Sequence, residues 1–225
     1  FDQIIANSVF SRESIGRAYA VDASVCHPGI DTDFFHSTGA RREPFVVGLG
    51  SIYFPKGQDR AIRALSTIEA ARRPGLVWIG NVANAAYLKE MQRLADSLDV
   101  CFTPRVSIAD EELLDTLSRA SALLYTSRLE PFGLAPLEAN ACGTPVIAIA
   151  EGGVRETITH GVNGILVPDS DPEALGRAIA DLLANPKRIE ELGSRARQHV
   201  VDNWSWHQCV DQLEHYLLKV IDKHA

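Results

Sequence analysis

The chain has no long hydrophobic run, no excess of basic residues and no cluster of cysteines. No stretch approaches the roughly 18 apolar residues of a membrane-spanning helix, and no basic-then-apolar leader opens the sequence. We therefore expect no transmembrane or signal segment. Lysine and arginine number 22 against 29 acidic residues, a formal net charge of −7. This balance argues against nucleic acid or an anionic membrane as the main partner.

The cysteines and histidines also exclude several kinds of site. The four cysteines lie far apart, with no Cys-x2-Cys pair and no Cys/His cluster. This spacing indicates neither a disulfide framework nor a zinc site, and it predicts small core residues in a reducing, cytoplasmic compartment. None of the seven histidines lies in a loop that matches a catalytic base. Nucleophilic catalysis by a Ser/His/Asp or Cys/His arrangement is therefore not indicated.

Short apolar segments alternate with helical periodicity through most of the chain. Nearly continuous apolar strands are typical of a parallel sheet that is covered on both faces. The pattern predicts the fold class α/β, with a doubly wound Rossmann-like parallel sheet of about six strands. Asp171-Pro172 and Asn185-Pro186 predict the starts of two later helices. The predicted strands are 45–50, 76–80, 100–103, 122–126, 146–150 and 164–167.

The segment 127–146 lies between two of these strands and has the composition of a ligand site. Pro131 is suited to the first turn of a helix, so we expect the free amides of 132–134 to point out of its amino end and to attract an anion. Glu130 precedes this end and Glu138 lies one turn inside it. Carboxylates repel phosphate but accept hydrogen bonds from hydroxyls, so phosphate and polyol together suggest a nucleotide sugar. Taken alone, Glu130 could equally be a helix-start acid that the helix dipole favours, and Glu138 could equally be a solvated helix residue.

The same segment carries a resemblance to a known family. Glu130-Pro-Phe-Gly, Glu138 and the following Ala-Cys-Gly-Thr-Pro-Val146 resemble the E-x7-E region of retaining GT-B glycosyltransferases of family 4. The resemblance implies that Glu130 contacts donor-sugar hydroxyls, that the backbone at Phe132, Gly133 and Leu134 approaches the donor, and that Glu138 holds the ribose. It also implies a nucleoside-diphosphate sugar as donor substrate, with no cofactor and no metal.

A second loop resembles the part of this family that binds the diphosphate. Gly48 to Gly57 matches a G-R-L-x-x-x-K-G pattern, so Gly50 and Lys56 are donor-site candidates, and Lys56 with Glu130 is assigned to catalysis. Ser51 stands where the family has an arginine, which halves the fixed positive charge. The arginines that could replace it are Arg12, Arg17, Arg105 and Arg128.

Two further segments extend the predicted site. The segment 102–106 resembles the one whose backbone holds the nucleobase, with Arg105 at the contacting position. Backbone contacts need no particular side chain, so UDP, GDP and ADP all stay open. Gly152 and Gly153 could form a second phosphate cradle or could only permit a tight turn.

The resemblance also implies a division of the chain. Residues 1–40 match the end of an acceptor-binding domain and a linker, 41–203 the donor-binding domain, and 204–225 a helix that crosses back to the first domain. We expect a missing N-terminal acceptor-binding domain as partner, no nucleic acid, and peripheral membrane contact only through that domain. The expected function is donor binding in a retaining, metal-independent glycosyltransferase that is inactive as this fragment. The alternative is a binding or interaction module that has lost catalysis; an epimerase or phosphorylase fits the motifs less well.

Overall fold

The computed structural model describes residues 2–168 and 171–224. Its strands are β1 (Ile5–Ala6), β2 (Ser24–Val25), β3 (Glu43–Leu49), β4 (Gly75–Gly80), β5 (Phe102–Val106), β6 (Ala120–Tyr125), β7 (Val146–Ile149) and β8 (Gly164–Val167). Its helices are α1 (Val9–Tyr19), α2 (Gln58–Ser66), α3 (Ala85–Ser97), α4 (Asp110–Arg119), α5 (Ala135–Ala141), α6 (Val154–Thr157), α7 (Pro172–Leu183), α8 (Pro186–Asn203) and α9 (Trp206–His224).

Strands β3 to β8 form one six-stranded parallel sheet in the order β5-β4-β3-β6-β7-β8. The chain runs outward from β3 to β5, returns to the centre at β6, and then runs outward to β8. This is a doubly wound Rossmann-like order, so the predicted fold is confirmed. The strand order reverses between β3 and β6. Such a reversal leaves a crevice at the carboxyl ends of the two strands, where α/β proteins bind ligands.

Apolar side chains cover both faces of the sheet. On one face, α2, α3, α7 and α8 pack against strand residues such as Val46 and Trp78. On the other face, α4, α5 and α6 pack against residues such as Val47 and Leu123. Successive side chains of a strand point to opposite faces, so a strand that is buried on both sides needs apolar residues at every position. This explains the continuous apolar runs in the sequence.

The predicted amino-terminal caps of the two later helices are confirmed. The Asp171 side chain accepts from the amides of Glu173 and Ala174, and Asn185 accepts from the amide of Arg188. In each case a proline follows the cap, where its missing N–H costs no helical hydrogen bond.

Two other predicted boundaries are wrong. Strand β5 begins at Phe102 and includes Pro104, which is tolerated because β5 lies at the edge of the sheet. The helix after β6 begins at Ala135 and not at Pro131. The residues between them form a turn in which Gly133 has a φ of +89°, outside the helical region.

The first and last segments of the described chain lie outside the six-stranded sheet. Strands β1 and β2 pair in parallel with each other, and α1 connects them. Helix α9 begins beside Ile30, which forms an isolated bridge with Ser205. Part of its apolar surface is exposed. The exposed residues are Trp206, Val210, Leu213, Leu217, Leu218 and Ile221.

The cysteines are free, and Cys26 and Cys142 are buried. Cys101 is exposed and Cys209 is half-buried, so the prediction that all four belong to the core is wrong. Cys101 lies just before the edge strand β5, where neighbouring helices cover less of the chain. Among the described helices, none has both the length and the apolarity needed to cross a membrane.

Candidate functional site

A cavity of about 500 Å³ opens at the carboxyl ends of β3, β4 and β6. It lies at the point where the strand order reverses, so the fold places it where a ligand site is expected. Most of the predicted site residues line it. They are Gly50, Ser51, Lys56, Glu130, Phe132, Gly133, Leu134 and Glu138.

Lys56 and Glu130 form an ion pair inside this cavity. Nζ of Lys56 donates to Oε2 of Glu130 at 2.6 Å, and the two side chains are 19% and 24% exposed. The aliphatic part of Lys56 passes over Gly50, because Cδ of the lysine lies 3.3 Å from where a Cβ of this glycine would stand. Residues 74 positions apart in the sequence are thus held together at one end of the cavity.

Glu138 lines the cavity from the first turn of α5. Within the described residues, its carboxylate has neither a hydrogen bond nor an ion pair. Burial raises the pKa of Glu138 to about 7, because the surrounding protein disfavours the charged form. An unpaired acceptor that titrates near neutrality is therefore directed at any molecule bound in the cavity.

Tyr125, the last residue of β6, lies beneath the turn that carries Gly133. The tyrosine is 4% exposed, and its Oη has no hydrogen-bond partner among the described residues. Burial raises the pKa of the Tyr125 hydroxyl, and the negative charge of Glu130 raises it further. The nearby Ser127 acts in the opposite direction, although the two side chains do not form a hydrogen bond. A Cβ on Gly133 would stand 2.4 Å from Oη. This contact and the positive φ both require glycine here.

The turn after Glu130 presents backbone amides to the cavity. In the described part of the chain, no acceptor is bonded to the amides of Gly133, Leu134 or Ala135. The ring of Phe132 packs against His27 and Trp204, at centroid distances of 5.7 and 5.6 Å. The prediction placed free amides at 132–134 in the first turn of a helix. The amides of Gly133 and Leu134 are free within the described residues, but they belong to a turn, and α5 begins at Ala135.

Arg105 is the predicted site residue that the structure does not bring to the cavity. Its guanidinium donates to Glu112 at 3.1 Å and to Thr116 at 3.2 Å, both on α4. It is not among the lining residues. The physical reason is that β5 extends through Arg105, and the side chain of an edge-strand residue is free to pair with the helix that follows.

The two glycines at 152 and 153 serve close packing and do not line the cavity. A Cβ on Gly152 would stand 2.4 Å from the carbonyl oxygen of Glu130, and a Cβ on Gly153 would stand 2.2 Å from that of Pro131. The amide of Gly153 donates to the Glu130 carbonyl at 2.9 Å. These residues therefore support the turn from outside the cavity.

The match to a family model decides the family. The model of the glycosyl transferases group 1 family matches residues 30–199. The chain belongs to this family. It is 32% identical over 227 residues to the GDP-mannose-dependent alpha-(1-6)-phosphatidylinositol monomannoside mannosyltransferase of Mycolicibacterium smegmatis, covering 91% of this chain and 59% of the relative. It is 34% identical over 236 residues to the D-inositol 3-phosphate glycosyltransferase of Geodermatophilus obscurus, covering 94% and 51%.

Solved structures share the fold of this chain. Sucrose-phosphate synthase from Thermosynechococcus elongatus superposes with a TM-score of 0.87 and 25% identity, covering 99% of this chain and 59% of that one. Anabaena Alr3699/HepE, solved in complex with UDP and glucose, gives a TM-score of 0.86 at 24% identity, covering 97% and 63%. The chain thus spans between half and three fifths of the length of the two group 1 relatives.

Among the described lining residues of the cavity, no arginine replaces the positive charge that is missing at Ser51. Arg128 is bonded to Asp59 at 2.8 Å and lies over the ring of Phe54 at 4.3 Å. Arg12 and Arg17 are exposed on α1 and do not line the cavity. Among the described lining residues, Lys56 is the only basic one, against three acids. The acids are Asp110, Glu130 and Glu138.

The turn after Glu130 is also tied to the first helix of the chain. Oγ of Ser8 donates to the Pro131 carbonyl at 2.6 Å. Glu156 accepts from the amides of Val9 and Phe10 and contacts Nε2 of His27 at 2.8 Å. Burial acts to raise the pKa of Glu156, but these hydrogen bonds outweigh it and the pKa is lowered. Sequence reasoning missed this link, because its partners lie 123 to 147 residues apart.

Sequence reasoning also missed four polar residues that line the cavity. They are Asn7, Asn81, Asp110 and Tyr125. A signal for two of them exists in the sequence: Asn81 follows β4 directly, and Asp110 follows β5 after a short loop. The carboxyl ends of parallel strands meet at one edge of a sheet, so polar residues just after predicted strands are candidates by position alone. In the described residues, no group of three or more His, Cys, Asp or Glu side chains is arranged to hold a metal ion.

Proposed function

We propose that this chain binds a nucleoside-diphosphate sugar and supplies the donor site for a retaining, metal-independent glycosyl transfer. One observation carries the proposal: a single cavity at the strand reversal of a group 1 chain collects Lys56, Glu130 and Glu138. A second domain would bind the acceptor substrate. The chain spans between half and three fifths of the length of its relatives, which leaves room for that domain.

Lys56 is the residue that would stabilise the leaving group. As the glycosidic bond breaks, negative charge grows on the diphosphate, and a fixed cation beside it lowers the transition-state energy more than the ground-state energy. The amides of Gly133, Leu134 and Ala135 would add donors on the neighbouring side. The lysine would supply positive charge that a bound divalent cation supplies in other enzymes. We expect transfer by the complete enzyme to be unchanged by a chelator.

Glu130 would orient the sugar while it stays bonded to Lys56. The ammonium group has three donors and uses one of them on Glu130, and the carboxylate keeps lone pairs for sugar hydroxyls. A donor that binds here therefore meets an ion pair that is already formed. The pair would hold the sugar on its carboxylate side and the diphosphate on its ammonium side.

Glu138 would accept hydrogen bonds from the two ribose hydroxyls. Its carboxylate has no other partner in the described residues, and its charged form accepts hydrogen bonds from the hydroxyls more strongly than the neutral acid does. Because the pKa of Glu138 is raised to about 7, donor binding should strengthen as the pH rises from 6 to 8.

The alternative function is a nucleotide-sugar binding module without catalysis. The observation in its favour is the charge of the cavity, where one lysine faces three acids and Ser51 replaces the family arginine. Such a cavity would hold a diphosphate more weakly than one with two fixed cations.

Binding and stereochemistry test the two functions separately. Calorimetric titration of the chain with UDP-glucose, GDP-mannose and ADP-glucose should show binding of at least one donor. The GDP and UDP probes follow the names of a relative and of a structural neighbour, and the ADP probe covers the third base that the sequence leaves open. The complete enzyme should then give a product with the anomeric configuration of the donor, read by proton NMR. Binding without transfer would favour the module. An inverted product would contradict the retaining mechanism, and no binding of any donor would contradict both functions.

A further inference from the structure

The cavity has an apolar end on the side of β4 and α4. Three apolar residues line this end of the cavity: Ile79 near the end of β4, Ile108 just before α4, and Leu113 within α4. Strand β3 lies between β4 and β6, so this end is about two strand spacings, roughly 10 Å, from the loop that carries Glu130. That separation suits a nucleotide whose phosphates lie at Lys56 and whose flat base lies between apolar side chains.

One unpaired carboxylate lies at this apolar end. Asp110 lines the cavity as the first residue of α4, and it is exposed. In the part of the chain that the structure describes, its side chain has no hydrogen bond and no ion pair. The other acids of the same turn differ: Glu112 is bonded to Arg105 at 3.1 Å, and Glu111 does not line the cavity. Asp110 is thus the acid of this turn that is available to a ligand.

The three candidate bases differ in what they offer to a carboxylate. Guanine presents two adjacent donors, N1–H and the N2 amino group, which a carboxylate accepts in a bidentate pair. Uracil presents a single N3–H between two carbonyl oxygens, and a carboxylate opposite that edge is repelled. Adenine presents one donor beside one acceptor. An acceptor-only group therefore favours guanine over both other bases.

We propose that Asp110 reads the base edge of guanine, and that the donor of this chain is a GDP-sugar. The proposal rests on the proposed function, since it assigns the base within the same cavity. Asn81, which lines the same end, carries both a donor and an acceptor and can pair with any base. The discrimination therefore comes from Asp110.

Four nucleoside diphosphates that carry no transferable sugar test the proposal on the 225-residue chain. GDP, IDP, UDP and ADP are titrated by calorimetry. IDP is GDP without the N2 amino group of the base, so it removes one of the two donors and nothing else. The wild-type chain should bind GDP most tightly, and IDP roughly 5- to 30-fold more weakly, since one charged hydrogen bond is lost.

Asp110→Asn and a matched control complete the test. The amide offers one donor and one acceptor, so the variant should bind GDP roughly 10- to 100-fold more weakly, lose most of the difference between GDP and IDP, and bind UDP more tightly than the wild type. Glu111→Gln removes the same charge from the same turn outside the cavity, and it should change GDP affinity less than about 2-fold.

The outcomes separate this proposal from the one on which it rests. If a nucleotide binds but the wild type does not prefer GDP, the base assignment is wrong and the donor site stands. The same holds if Asp110→Asn keeps the full difference between GDP and IDP. If none of the four nucleotides binds, both proposals fail. Because Asp110 is exposed and unpaired, the variant is expected to fold, and equal melting temperatures of the two variants will show this.

Discussion

The two ends of the cavity differ in how their charges are paired. At the end formed by the loops after β3 and β6, Lys56 and Glu130 bind each other at 2.6 Å, and their geometry is fixed before a ligand arrives. At the end formed by β4 and α4, Asp110 has no partner in the described residues. We infer from this difference that the two ends bind different parts of the donor. The paired end would hold the sugar and diphosphate, which many donors share, and the unpaired end would select the base.

The first prediction concerns the backbone turn at Gly133, which shapes the paired end of the cavity. Gly133→Ala forces a side chain onto a residue with a φ of +89° and places its Cβ 2.4 Å from Oη of Tyr125. We expect the free energy of unfolding to fall by about 2–4 kcal/mol in urea titrations. Gly161→Ala is the matched control, because its φ is +78° but nothing lies within 4 Å of its Cβ, and it should lose only about 1 kcal/mol. Equal losses would show that Tyr125 does not constrain the turn.

The second prediction removes the positive charge of Lys56 from the paired end of the cavity. Lys56→Met keeps much of the aliphatic stem over Gly50 but deletes the ammonium group, so nucleoside-diphosphate affinity should fall roughly 10- to 100-fold. Calorimetry with GDP and UDP measures the loss. Arg60→Met is the control, because it breaks a comparable ion pair with Glu151 at 3.2 Å outside the cavity. A similar loss of affinity in both variants would mean that Lys56 does not touch the diphosphate.

A third prediction sharpens the comparison through pH. The pKa of Glu138 is raised to about 7 by burial, above its unfolded value, so the folded state binds more protons than the unfolded state between the two values. Its contribution to stability is therefore lost as the pH rises from about 4.5 to 7. Glu138→Gln should remove this loss, raising the free energy of unfolding at pH 8 by about 1–3 kcal/mol and leaving pH 4 nearly unchanged.

Urea titrations of Glu138→Gln at several pH values measure the effect. The exposed Glu111→Gln serves as control and should keep the wild-type pH dependence. The more stable variant should bind the nucleoside diphosphate more weakly, since one ribose contact becomes neutral. A variant that is stabilised and binds normally would remove Glu138 from the ribose site.

The smallest expected effect is a gain at the paired end. Ser51→Arg places a second cation in a cavity where, among the described lining residues, one lysine faces three acids. GDP affinity should rise roughly 3- to 10-fold and become more sensitive to salt, because the new charge lies in a wet loop. Unchanged affinity and salt dependence would show that the diphosphate does not reach this loop.

The sequence predicted the parts of the site that depend on local pattern. Continuous apolar runs predicted the parallel sheet, and the motif around Glu130 and Glu138 predicted which segment of the chain carries the carboxylates. The start of α5 was wrong because Pro131 is compatible with a helical turn, while the left-handed Gly133 that prevents the helix is visible only in three dimensions.

The parts that depend on distant contacts could not be predicted. The bond between Lys56 and Glu130 joins residues 74 positions apart, and the one between Ser8 and Pro131 joins residues 123 apart. Arg105 was placed in the site on resemblance, but its guanidinium finds Glu112 and Thr116 on the following helix. Pairing of this kind is set by tertiary packing and leaves no periodic signal in the chain.

One NMR measurement tests most directly whether the two ends divide the donor between them. Backbone amide shifts of the 225-residue chain are compared during titrations with guanosine and with GDP. The account predicts that guanosine perturbs the amides of Asn81 and of the segment 107–111, and that GDP also perturbs those of 50–57 and 133–135. Guanosine shifts at the Lys56 loop, or GDP shifts confined to other parts of the chain, would contradict it.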